Sequence, residues 1–156
     1  MAAPSVQYVA IGLPLMVSLI TILGTIVIHA LALLGIIHFV RRQHQLGHTG
    51  VRFWRDVGIV ASATLLALTA HLVEITIWAF VFVFCGEFAQ FAGAFYHSAM
   101  NYTTLGYGDV VMTPSWKLFG PLEAADGMLM FGVSTAIIVS VIQLIVWTKF
   151  HDLPNL

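Results

Sequence analysis

Residues 103–109 read Thr103-Thr104-Leu105-Gly106-Tyr107-Gly108-Asp109, and they lie between two long apolar runs. Two glycines, one large aromatic and one acid fall within seven residues. Two readings compete. The stretch is a Gly-rich turn on the outside of a membrane protein, or it is a segment whose backbone does chemistry that side chains cannot. The second reading requires a chain that enters the membrane and comes back, so the choice decides the fold.

Composition supplies the setting. Of 156 residues, 60% are hydrophobic and only 8% are charged, where a soluble domain carries about a quarter. The chain therefore reads as an integral membrane protein. A net charge of -1 gives no reason to expect a nucleic-acid partner, and the single cysteine, Cys85, excludes an internal disulfide framework. About 20 mainly apolar residues cross a bilayer as a helix. Three segments meet that length: about Tyr8–Val40, about Val57–Phe84 with Glu74 as its one acid, and about Leu122–Trp147 with Glu123 and Asp126 in its first turns. The first is too long for the apolar part of a signal peptide, and no basic residue precedes it.

Charge gives the expected orientation. Arg41, Arg42, Arg52 and Arg55 fall in the short connection between spans one and two, and Lys149 ends span three; only Lys117 lies elsewhere. The positive-inside rule places this majority in the cytoplasm, with the N-terminus outside and the C-terminus inside. Trp54, Trp116 and Trp147 stand near span ends, where interfacial aromatics belong. The segment Cys85–Pro121 then faces outward. It is long for a helix–helix connection. Its first part, Glu87–Tyr102, spaces Phe88, Phe91, Ala92, Phe95, Ala99, Met100 and Tyr102 by threes and fours, which predicts a short helix with an apolar face. Such a helix followed by extended backbone is a re-entrant segment, tolerated at membrane depth only if protein buries it or it lines a watery path.

In that context Gly106 and Gly108 acquire a purpose. Glycine adopts backbone angles closed to other residues, and alternating it with larger residues turns successive carbonyls to one side. The carbonyl dipoles repel one another, and a desolvated cation at their centre offsets the repulsion. Tyr107 would point away and wedge the row, and the Thr104 hydroxyl would sit at its inner mouth. One chain supplies one row, so several chains must surround an axis.

The segment resembles the selectivity filter of the tetrameric potassium channels, whose signature is Thr-Val-Gly-Tyr-Gly-Asp; here Thr104 to Asp109 fill the motif with Leu105 in place of valine. The resemblance runs over roughly Val57–Lys149, and Gly120–Ala124 ("GPLEA") with Phe131–Ala136 ("FGVSTA") are similar to small bacterial ion-channel proteins. It implies an all-α membrane protein of three transmembrane helices, with a re-entrant pore helix and filter loop between the second and third. Residues 1–56 would be an additional N-terminal helix and basic cytoplasmic loop, and 57–156 the pore module of outer helix, pore helix, filter and inner helix. It further implies a homotetramer in a lipid bilayer, a multi-pass protein of a bacterial inner membrane, and passive K+ conduction. The expected ion-binding residues are Thr104, Leu105, Gly106, Tyr107 and Gly108, with K+ at Thr104, Leu105, Gly106 and Tyr107. Thr103, Asp109, Tyr96 and His97 would support the filter, the last two where relatives often have tryptophan. Behind the filter, where some relatives place a glutamate, Ser98-Ala99-Met100-Asn101 holds no acid. A weakly selective cation channel and a subunit of a K+-uptake transporter are the alternatives. The transporters usually join several degenerate filter loops in one chain, and this chain has a single loop with both glycines.

Other residues keep two readings. Gly132 is a hinge of the third span or a point of close helix packing. Val133, Ala136, Ser140 and Leu144 share one helical face, which lines an inner cavity or packs on a neighbour. His71 and Glu74, three apart on span two, are functional by their depth or join helices by hydrogen bonds. Asp109, Glu87, Glu123 and Asp126 are expected near the outer face, where their field would concentrate cations. Glu123 and Asp126 also suit a helix N-terminus after Pro121. His97, if protonated, would set a positive charge beside bound cations. No span repeats arginine every third position, so no voltage-sensor helix is expected, and the seven residues after Lys149 hold no ligand-sensing domain. No catalytic constellation appears, so no enzyme, cofactor or small-molecule substrate is expected, and no metal other than transported K+.

Overall fold

The structure, a computed structural model, describes residues 11–151. Among the described residues it is all helical: α1 (Gly12–Gln45), α2 (Phe53–Phe84), α3 (Phe91–Tyr102) and α4 (Phe119–His151). Tyr8–Ala10 of the first predicted span lie outside the described residues. Helices α1, α2 and α4 are long and apolar enough to cross a membrane. α3 has 12 residues, which at 1.5 Å each gives about 18 Å, short of a crossing. The expected order of two spans, a short helix with its loop, and a further span is therefore met.

The spans run further than hydropathy alone predicts. α1 continues to Gln45 and α2 begins at Phe53, so Arg41, Arg42 and Arg55 stand on helix ends and Arg52 alone of the four lies in the connection. A helix of 34 residues is about 51 Å long against a hydrocarbon core of about 30 Å, so it extends beyond that core, and its C-terminal end carries charge. Arg42 and His44 in the last turn of α1 also meet the negative end of the helix dipole, and Asp56 in the first turn of α2 meets the positive end. α1 and α2 both close in a Schellman turn: His48 N–H to Gln43 O and Gly47 N–H to His44 O in one, Glu87 N–H to Phe82 O and Gly86 N–H to Val83 O in the other.

The chain divides into two compact units. The first joins the residues up to Ile26 with Val73–Leu129, and so holds all of α3 and the loop after it. Its centre is aromatic. Phe82 packs against Phe119 at 5.7 Å and Trp78 at 5.9 Å between ring centroids, and Trp78, Phe82 and Phe119 are fully buried. The second unit joins Val27–Leu72 with the residues from Met130 onward. Its core takes Ile36 and Val40 from α1, Ile59, Ala63 and Ala67 from α2, and Val141 and Ile145 from α4. The small alanines let the helices approach closely. The α1–α2 connection in this unit is pinned: the Thr49 hydroxyl lies 2.8 Å from His44 Nδ1, and Gly50 N–H donates to Asp56 Oδ1 at 2.8 Å.

Candidate functional site

α3 leads directly into the loop that follows it. The carbonyls of its last turn would otherwise be unpaired, and the loop satisfies them. Thr103 N–H and its hydroxyl both donate to Ala99 O (3.1 and 2.6 Å), Thr104 N–H donates to Asn101 O at 2.8 Å, and Gly106 N–H to Met100 O at 3.2 Å. The loop is thus hydrogen-bonded to the end of the short helix through Thr103, Thr104 and Gly106. Beyond this point the backbone alternates. Thr104 has φ 61°, Gly106 φ 50° and Gly108 φ 74°, while Leu105 and Tyr107 have no positive φ. Thr104 is the one described non-glycine residue with a positive φ, a conformation that costs an L-residue about 1–2 kcal/mol. Its side chain, Leu105, both glycines, Tyr107 and Asp109 are exposed in the chain.

The expected supports divide. Tyr96 reaches the loop, its hydroxyl donating to Asp109 Oδ2 at 2.7 Å. Tyr107 is 72% exposed and so packs on nothing substantial within its own chain. His97 is buried, with Phe88 at 5.2 Å and Phe82 at 5.8 Å, and lines a cavity of about 400 Å³ together with Met100, Asn101, Tyr107, Asp109 and Lys117. Burial lowers its pKa, against the opposing pull of Asp109 and then Glu87. The shift is downward, so His97 is neutral at pH 7. Protonation opposes the folded form, and stability falls as pH drops below the ordinary value of 6.5. Wild type and His97→Phe are therefore expected to share one pH dependence of current from pH about 8 to about 6.5. A difference between them within that window would restore His97 as a sensor.

The acids differ in their surroundings. Glu87 is tied to the stretch after the loop, accepting from Thr113 N–H at 2.8 Å and the Thr113 hydroxyl at 2.6 Å. Glu123 and Asp126, expected near the outer face, are buried at 0% and 2% exposure. A buried carboxylate is tolerated only when hydrogen-bonded, and each is. Glu123 Oε1 lies 2.5 Å from Ser98 Oγ. Asp126 Oδ2 accepts from Thr25 Oγ1 at 2.8 Å and from Trp78 Nε1 at 3.0 Å. The bond from Thr25 gives α1 a contact with α4, a role its sequence did not disclose. His71 and Glu74 both join helices. His71 Nε2 lies 3.1 Å from Ser134 Oγ, which lies 3.0 Å from His29 Nε2. Glu74, fully buried, accepts a hydrogen bond from the Tyr102 hydroxyl.

On α4, Gly132, Val133, Ala136 and Ser140 are exposed, and Leu144 is half-buried against the core of the second unit. A methyl group on Gly132 would meet nothing within 4 Å, so close packing inside the chain does not account for this glycine. It does account for Gly127, where an added Cβ would stand 2.1 Å from Tyr102 O. Sequence reading passed over Gly127 and the Glu74–Tyr102 bond. Glu74 carried a signal as a lone acid in a span, but Tyr102 looked like one more aromatic of an apolar face.

Residues 70–144 match a family model described as an ion channel. No curated protein and no solved structure matches the chain. The matched stretch begins near the middle of α2, takes in α3 and its loop, and ends late in α4. Together with three helices able to cross a membrane, the match supports a multi-pass membrane protein in which residues 70–144 are similar to an ion-channel domain.

Proposed function

We propose that the chain is the subunit of a potassium-selective channel, with four copies around a shared axis and K+ passing passively down its gradient. The observation that carries this reading is the alternation of φ at Thr104, Gly106 and Gly108, in a loop that leaves a short apolar helix. Conformations of opposite hand at successive residues rotate the intervening peptide planes toward one side, so one row of carbonyls replaces part of an ion's hydration shell. K+ would be held by the carbonyls of Thr104, Leu105, Gly106 and Tyr107, with the Thr104 hydroxyl at the inner mouth. A ring of such rows needs copies related by a closed rotation. The exposure of the loop suits a surface turned toward that axis. Residues 57–156 then form the pore module, and α1 is an addition to it.

Purified protein in liposomes is expected to take up Rb+ against a K+ gradient and to take up little Na+, and its native mass is expected to be four times that of the chain. Equal uptake of the two ions would remove selectivity, and a monomer mass would remove the pore. The same reading turns residues 85–118 outward and the C-terminus inward. Cys85 is the chain's one cysteine, so an impermeant thiol reagent outside intact cells is expected to label it. Burial and then Glu87 raise its pKa above the usual 9.0. The thiolate is the reactive form, so labelling is slow at pH 7 and quickens as pH rises. Labelling seen only after the membrane is opened would reverse the orientation.

A further inference from the structure

Tyr102 is the last residue of α3 and stands two positions before the first left-handed residue of the loop. It is held from two sides. Its hydroxyl donates to Glu74 of α2. Its carbonyl lies against Gly127 of α4, so closely that a Cβ there would stand 2.1 Å from the oxygen. One turn earlier on the same face, Ser98 lies 2.8 Å from Ile75 O of α2 and 2.5 Å from Glu123 Oε1 of α4. Tyr102, Ser98, Glu74 and Glu123 are each 0% exposed. The hydrogen bonds of α3's last turn then carry this placement on to Thr103, Thr104 and Gly106.

We infer that Glu74 and Tyr102 are positioning residues for the loop: they fix where its carbonyl row begins. The inference rests on the proposed reading of the loop as an ion-coordinating segment. The physical ground is that three hydrogen-bond contacts from flanking helices and the close approach of Gly127 converge on two residues of one short helix, and the last of these residues is continuous with the loop. A carbonyl row discriminates between ions through the number and placement of its oxygens. A start point released by one hydroxyl therefore changes discrimination before it changes folding. Sequence offered no acid at 98–101, yet acids do stand behind the short helix, contributed by α2 and α4.

Four variants test this in planar bilayers: Tyr102→Phe, Glu74→Gln, Glu74→Leu, and Tyr102→Phe with Glu74→Leu. Tyr102→Phe removes one oxygen and keeps the ring, so of the four it disturbs packing least. It is expected to lower the K+/Na+ permeability ratio about tenfold, the scale of one lost hydrogen bond, with the native mass unchanged. Glu74→Gln keeps an acceptor for the tyrosine and is expected to retain most of the wild-type ratio. The double variant is expected to lose no more than either single, since both remove the same bond. A wild-type ratio in Tyr102→Phe overturns the inference. If the wild type itself passes K+ and Na+ equally, the potassium reading fails on its own account. The positioning role is then read from single-channel conductance, which falls in Tyr102→Phe if the hydroxyl places the loop and is unchanged if it does not.

Discussion

Gly106→Ala is expected to abolish selective K+ conduction while the protein still folds. Gly106 has φ 50°, and a Cβ built on it meets nothing within 4 Å of its own chain. The cost is therefore in the backbone: about 1–2 kcal/mol for a left-handed L-residue, repeated in each copy of the proposed tetramer. Alanine escapes it by returning φ to negative values, which rotates the adjoining peptide and turns a carbonyl out of the row. Leu105→Val is the control. It changes a side chain that is 58% exposed and keeps the carbonyl, so selectivity is expected to survive. A Gly106→Ala channel with wild-type preference for K+ over Na+ would show that the carbonyl row is not what selects.

Gly127→Ala is expected to cost the fold rather than the ion preference. Its Cβ would stand 2.1 Å from Tyr102 O, 2.9 Å from Tyr102 C and 3.1 Å from Tyr102 Cδ1. Two of these atoms are backbone, so no rotamer change relieves the contact, and α4 must move away from α3. Overpacking of this kind costs about 3 kcal/mol or more. The expected outcome is a large loss of thermal stability in detergent and of the wild-type native mass. Gly132→Ala, five residues on, meets nothing within 4 Å and is expected to leave stability unchanged, so that any change in its gating reads as a hinge effect. Equal stability of the two variants would contradict the packing described for Gly127.

These two glycines also mark how far the sequence could be read. Gly106 was legible because its neighbours form a local pattern: Thr-Thr-x-Gly-Tyr-Gly-Asp after an apolar 3–4 periodicity, between two spans. Local patterns fix local structure, and the short helix, the loop and the three long helices follow from them. Gly127 was not legible, because its requirement comes from Tyr102, a residue on another helix. The same holds for Glu123 and Asp126. Their positions after Pro121 suggested a helix start near water, and burial against Ser98, Thr25 and Trp78 is set by partners distant in sequence. Spans that are apolar on every side carry little periodicity to reveal which face packs, so tertiary contacts among them leave only a faint trace. The arginines were misplaced for a different reason: hydropathy ends a span at the first charge, whereas a helix continues into water as long as its hydrogen bonds do.

The most direct test of the carbonyl-row account is the reversal potential of the wild-type protein in a planar bilayer. One side holds ten times the K+ of the other, and Na+ makes the total cation equal on both. The account predicts reversal near the K+ equilibrium potential, about 59 mV from zero for a tenfold gradient of a monovalent ion. Reversal at zero, with current carried equally by both cations, would contradict it.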